Sequence, residues 1–219
     1  GNPIPVPKTF KEPEKPVPAP VERTGRPYIF KERKLTASEL EYWQQYGITP
    51  EILEQYKVCS VVQFQSENAE GNPFSYISTK EEPIYGYKSK RFIKLYRPFS
   101  KTRFLYGGNI GESYCFGLEQ LPSKGDTLFI TGGEKDVMSL AAHGFHAICF
   151  NSETVTVPPN IIYKLTFRFK HIILLYDMDA TGLESAKKHE KQLCEYGVKR
   201  LLLPLQGTKT EKDISDYFR

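Results

Sequence analysis

The sequence predicts an α/β fold in its C-terminal part, a parallel sheet flanked by helices over residues 123–219, preceded by a small basic α+β unit over residues 31–122. Three observations carry this. After Gly125, short apolar runs alternate with stretches whose apolar residues recur at helical spacing, the pattern of strand–helix–strand units. Two of those apolar runs end directly in acid-bearing, glycine-containing turns. Before Gly125 the apolar runs are short, aromatic-rich and broken by Gly, Pro, Asn and Glu, which reads as a small antiparallel sheet.

The first 30 residues read as a linker. Eight prolines fall within residues 1–27, and proline fixes φ and removes a backbone donor, so neither helix nor central strand is expected there. A linker at the start marks the chain as a fragment of something longer. Two short helices are expected between 36 and 57. Thr36 or Ser38 caps the first and Gly47 stops it, while Thr49-Pro50 opens the second with proline at the first helical position. Strands are expected at 58–64, 74–78, 84–87 and 92–96. In the second unit, strands are expected at 127–131, 146–150, 171–176 and 199–203, with helices after 133, at 158–167 and at 182–196.

Charge excludes little by itself, because the net value is only +4. Its distribution says more. Residues 86–103 hold Lys88, Lys90, Arg91, Lys94, Arg97, Lys101 and Arg103 without one acid, interleaved with Tyr87, Phe92, Tyr96 and Phe99. Clustered cations neutralise phosphates and aromatic faces stack bases, so this stretch is a candidate nucleic-acid surface. The bland alternative is a solvated hairpin face with its aromatics turned inward. No 18-residue apolar run exists to cross a membrane, and no secretory signal pattern opens the chain. Cys59, Cys115, Cys149 and Cys194 are too scattered for a zinc ribbon, and the four histidines lack metal-ligand spacing.

The chemistry concentrates in two turns. Asp177-Met-Asp179 follows the most apolar run of the chain, at what would be the carboxyl end of a parallel strand, where open α/β sheets bind ligands. Two neighbouring carboxylates repel unless a cation lies between them, and Mg2+ or Mn2+ suits hard oxygen ligands. The other turn, Thr131-Gly-Gly-Glu-Lys-Asp136, places Glu134, Lys135 and Asp136 in a first helical turn whose free N–H groups suit an anion. The same D-x-D-x-T stretch also fits the nucleophile motif of haloacid-dehalogenase phosphatases, but there it opens the fold, whereas here about 40 residues remain after it.

Together, Thr131–Asp136, Tyr176-Asp-Met-Asp-Ala-Thr-Gly182 and Lys212-Asp-Ile-Ser-Asp216 resemble the Toprim domain, a Rossmann-like fold, and in particular that of bacteriophage-type primases and primase–helicases. Phe116-Gly-Leu-Glu-Gln-Leu121 resembles the lead-in of those primases, and the helices at 36–57 more loosely the start of an associated primase core. The resemblance implies a DNA primase fragment from a phage or mobile element, cytoplasmic, making RNA primers from ribonucleoside triphosphates on a single-stranded DNA template. A helicase in the same or another chain is an implied partner. It implies Asp177, Asp179 and Asp213 as ligands of Mg2+ (or Mn2+), with Glu134, Asp177 and Asp179 as catalytic residues and Glu134 the candidate general base. Lys135 and the 88–103 cations would contact phosphates, and Asp136 and Asp216 are further acids. The family pattern, strand-(Thr/Val)-Glu-Gly-x-x-Asp, has its glutamate where this chain has Gly132. That departure keeps two alternatives open: a non-catalytic Toprim that binds DNA or a partner, or a Toprim nuclease or topoisomerase-like enzyme.

Overall fold

A computed structural model describes residues 25–68, 70–111 and 114–219. Strand β1 (Tyr28–Arg33) pairs antiparallel with the long strand β2 (Val58–Glu67). Between them lie α1 (Ala37–Gln44) and α2 (Pro50–Gln55), each capped as its sequence requires. Thr36 and Glu39 form a reciprocal capping box, and the Thr49 hydroxyl accepts from the Ile52 N–H with Pro50 at the first helical position. The other edge of β2 pairs with β3 (Pro73–Ile77) along one half and β4 (Tyr85–Lys88) along the other. Strands β5 (Phe92–Tyr96) and β6 (Phe104–Gly108) complete the antiparallel sheet in the order β1-β2-β4-β5-β6. A bridge between Arg26 and Gly108 brings its two edges together, so the sheet curls around Val61, Phe64, Ile84, Ile93 and Leu95.

Two of these strands were not expected. Residues 25–27 precede β1, and residues 28–30, assigned to the linker, are its first residues; Tyr28 and Phe30 pack inward against the Phe64 cluster. The rest of the proline-rich stretch lies outside the described residues. Strand β6 follows the basic run and ends in two glycines. Gly107 is needed there because the Tyr28 ring occupies the space of a side chain.

The second sheet is parallel, in the order β10-β9-β7-β8. Its strands are β7 (Gly125–Thr131), β8 (His146–Cys149), β9 (Phe169–Leu175) and β10 (Lys199–Arg200), the last much shorter than expected. Helices α3 (Glu134–Ala142) and α6 (Ile214–Phe218) lie on one face, and α4 (Pro159–Thr166) and α5 (Ala180–Gln192) on the other. Alternation along the strands serves both layers. Leu128 and Ile130 of β7 join the α4–α5 side, while Phe129 between them faces the other.

That other face is not solvated. Val137, Met138 and Leu140 of α3 and Ile214 of α6 enter one buried cluster with Trp43, Tyr46, Leu53, Tyr56, Tyr87 and Tyr96 of the first unit. The two sheets therefore share a core. Chain order decides where the open site lies: β8 sits on one side of β7 and β9 on the other, so the connections leaving β7 and β9 diverge at their carboxyl ends. That divergence opens a crevice where Thr131 and Leu175 end.

Candidate metal and nucleotide site

Into that crevice the chain delivers three aspartates from three elements. Asp136 comes from the first turn of α3, Asp177 from the end of β9, and Asp213 from the cap of α6. Each offers a carboxylate oxygen within 4.8 Å of the others. Local packing forces this convergence. A Cβ at Gly182 would overlap the Asp177 carbonyl, so only glycine lets α5 start this close to Asp177. Gly207, at φ +74°, lies over the Met178 carbonyl, and the Met178 N–H donates to the Lys212 carbonyl (2.7 Å), laying the 207–213 loop along the D-x-D turn.

Electrostatics at the crevice is that of crowded, half-satisfied carboxylates. Burial and the nearby Asp213 and Asp177 hold the Asp136 carboxyl well above the usual carboxylate range, with Lys135 and the Ser215 hydroxyl acting against that. Burial also raises Asp177, although Lys212 donates to it at 2.5 Å. Asp179 behaves differently: burial works to raise it, but the Lys212 ammonium (2.8 Å) and the Gly182 N–H (3.0 Å) outweigh this and hold it low. Its role is to cap α5 and fix Lys212, and it lies outside the three-aspartate group. Asp213 accepts from the Asp216 N–H and pairs with Lys135 (3.2 Å), whose ammonium also lies over the Tyr46 ring. Asp216 in turn accepts from the Lys212 N–H (3.1 Å).

Three hard-oxygen groups, two of them raised by burial and by the neighbouring carboxylates, form a donor set that fits a divalent cation. Asp136 enters this set although the sequence offered it only as a further acid. Its position three residues after Gly133, one helical turn on, is the signal that could have found it.

Glu134 stands apart from the three. It is 1% exposed, and its Oε1 accepts from the Lys94 ammonium (2.6 Å) and the Tyr114 hydroxyl (2.7 Å). Lys94 is therefore buried at 2% exposure, not on a surface, and it also donates to the Asn151 carbonyl (2.9 Å). The other basic residues spread out. Lys88 pairs with Glu32 (2.7 Å), and Arg97 with Glu82 while stacking over Tyr76. Lys90, Arg91, Lys101 and Arg103 are exposed. Of this group only Lys94 and Arg103 line the cleft of about 470 Å³ that also holds the aspartates. Phe99, Phe104 and Tyr106 of the first sheet form its aromatic wall, with Lys94 against the Phe104 ring.

Sequence reasoning missed Glu153. It lies in the loop after β8, and its Oε2 is buried without a hydrogen-bond partner. Burial, then Asp177 and Asp179, push its carboxyl up to about 7. Nothing in its own segment marks it; only the position of β8 beside β7 brings it to the site.

Residues 129–218 match the Toprim-like family. No curated protein matches the chain. Among solved structures the fold is similar to the primase fragment of the bacteriophage T7 primase-helicase, with 18% identity and a TM-score of 0.54 over 79% of this chain and 66% of that one. It is similar to a DnaG primase catalytic domain bound to single-stranded DNA (15%, 0.58, 77% and 66%) and to the E. coli primase catalytic core (16%, 0.58, 82% and 68%). The chain thus spans about two thirds of the length of the structures it matches. Residues 129–218 form a Toprim domain, and the chain as a whole carries a fold like that of primase catalytic cores.

Proposed function

We propose that the chain is part of a DNA primase catalytic core that builds RNA primers on single-stranded DNA with a divalent cation, Mg2+ or Mn2+, at Asp136, Asp177 and Asp213. One observation carries this reading: three carboxylates converge at the open edge of the parallel sheet and share a cleft with a basic, aromatic wall from the first sheet. The single-stranded DNA bound to the similar DnaG domain supports the template class.

A divalent cation bound there supplies positive charge for the phosphates of an incoming nucleotide and for the charge that develops in phosphoryl transfer. The protein's own groups do the rest. Lys135 and Arg103 border the same cleft and neutralise phosphate oxygens. The exposed faces of Phe99, Phe104 and Tyr106 offer stacking surfaces for bases. Lys212 holds Asp177 and Asp179 in register. Glu134, whose Oε1 accepts from both Lys94 and Tyr114, positions the α3 start and is no longer the candidate base in this reading. Lys90, Arg91 and Lys101 remain surface cations for the template strand, and a helicase remains the implied partner.

The test is a pair of measurements on Asp177→Asn and Asp213→Asn. Calorimetric titration of Mn2+ into the wild-type chain with a nucleoside triphosphate present is expected to show binding that both variants lose. Template-directed primer synthesis should disappear with it; full synthesis in either variant would refute the proposal.

A further inference from the structure

Gly132 is glycine for a reason its backbone does not supply. It is not in the left-handed region that favours glycine, unlike Gly117 or Gly207. Crowding is what a side chain would meet, from the tips of two acidic side chains that would have to give way. A Cβ at position 132 would stand 3.1 Å from Glu153 Oε2 and 3.2 Å from Asp177 Oδ1, inside comfortable carbon–oxygen contact. The volume that a residue 132 side chain would fill is already held by a carboxylate arriving from another loop.

That carboxylate is otherwise unexplained. Among the described residues, Glu153 Oε2 is buried with no side chain to satisfy it, the backbone N–H of Asp177 being the one donor that faces its carboxyl, which is a costly position for an acid. The loop that carries it is fastened: Lys94 donates to the Asn151 carbonyl while pairing with Glu134, so the first sheet and the α3 start both hold the segment beside the crevice. Glu153 also lines the same cleft as Asp136, Asp177 and Asp213. A buried oxygen that no side chain satisfies, beside three carboxylates grouped for a cation, is placed to serve as a further ligand.

We infer that Glu153 is a fourth carboxylate of the divalent-cation site and that Gly132 is the residue that admits it. The acid that the sequence pattern expects at position 132 is supplied across space from position 153. This inference rests on the cation site proposed above and extends it to one residue and its steric partner.

The experiment is Mn2+ titration calorimetry on the full 219-residue chain, with a nucleoside triphosphate present and a thermal melt of every variant. Glu153→Gln should weaken Mn2+ binding about tenfold without lowering the melting temperature, as loss of an oriented carboxylate does at metal sites. Gly132→Glu alone should melt lower, because two carboxylates then contend for one volume. Gly132→Glu combined with Glu153→Ala should regain both the wild-type melting temperature and Mn2+ affinity, a strong coupling between two positions 21 residues apart in sequence. If Glu153→Gln binds Mn2+ like wild type while Asp177→Asn does not, the cation site stands and the role of Glu153 falls. Should the combined variant melt and bind no better than Gly132→Glu alone, the pairing of 132 with 153 is overturned. A wild-type chain that takes up no Mn2+ would remove the cation site and this inference together.

Discussion

At the scale of single residues, Lys94 shows best what a side chain's chemistry does and does not announce. In the sequence it belongs to a basic run and reads as a phosphate contact. In the structure it is the cation of a buried ion pair with Glu134. Burial works against its charge, but Glu134 outweighs burial and raises its pKa. Both faces of β5 are covered: Ile93 and Leu95 turn into the curled sheet, while Lys94 and Tyr96 turn toward the parallel-sheet unit. Alternation along a strand says which residues share a face, not that the second face is also buried. Lys94→Met leaves Glu134 as an uncompensated buried acid, and urea denaturation should show a loss of about 3–5 kcal/mol. Lys94→Met combined with Glu134→Leu should recover most of that loss. Lys90→Ala, on the exposed turn, should change stability by no more than about 0.5 kcal/mol.

At the scale of elements, caps and turns were legible because they depend on near neighbours. Thr36 with Glu39, Thr49 with Pro50, and Asp179 with Gly182 all act within a few residues of the ends they set. Strand β6 was not legible because the two glycines that end it carry no strand signal, and β1 because its partner β2 lies beyond two helices in the chain. Glu153 was hidden for the same reason: strand order, invisible in sequence, is what places β8 beside β7. The start of α5 offers a direct check on how turn chemistry sets the site. Gly182→Ala drives a methyl group into the Asp177 carbonyl, which must shift. We expect a loss of about 1–3 kcal/mol in denaturant unfolding, the range for overpacking a tight site. Weakened Mn2+ binding should accompany it, because the moved carbonyl belongs to a residue of the aspartate group. Unchanged stability and binding would show that the turn has slack to absorb the methyl.

At the scale of the whole molecule, the two units foreseen as 31–122 and 123–219 are bound through one core. Trp43 and Tyr85 from the first unit and Met138, Leu175 and Ile214 from the second are buried in a single cluster. Such a core leaves neither half able to melt alone. Urea unfolding followed by Trp43 fluorescence and by circular dichroism should give coincident transitions, the mark of one cooperative unit. Two separated midpoints would establish independent domains. The sequence boundary near residue 123 marks a change of architecture, from antiparallel to parallel strands.

The shared cluster also constrains how such a protein can descend. A genetic crossover near residue 123 would join two sheets whose facing side chains had never been selected together, and the mismatch would fall on Trp43, Met138 and their neighbours, not on the exposed surface. The two sheets must then be inherited as one block, and a lineage that alters the facing side chains of one is pressed to alter the other in step.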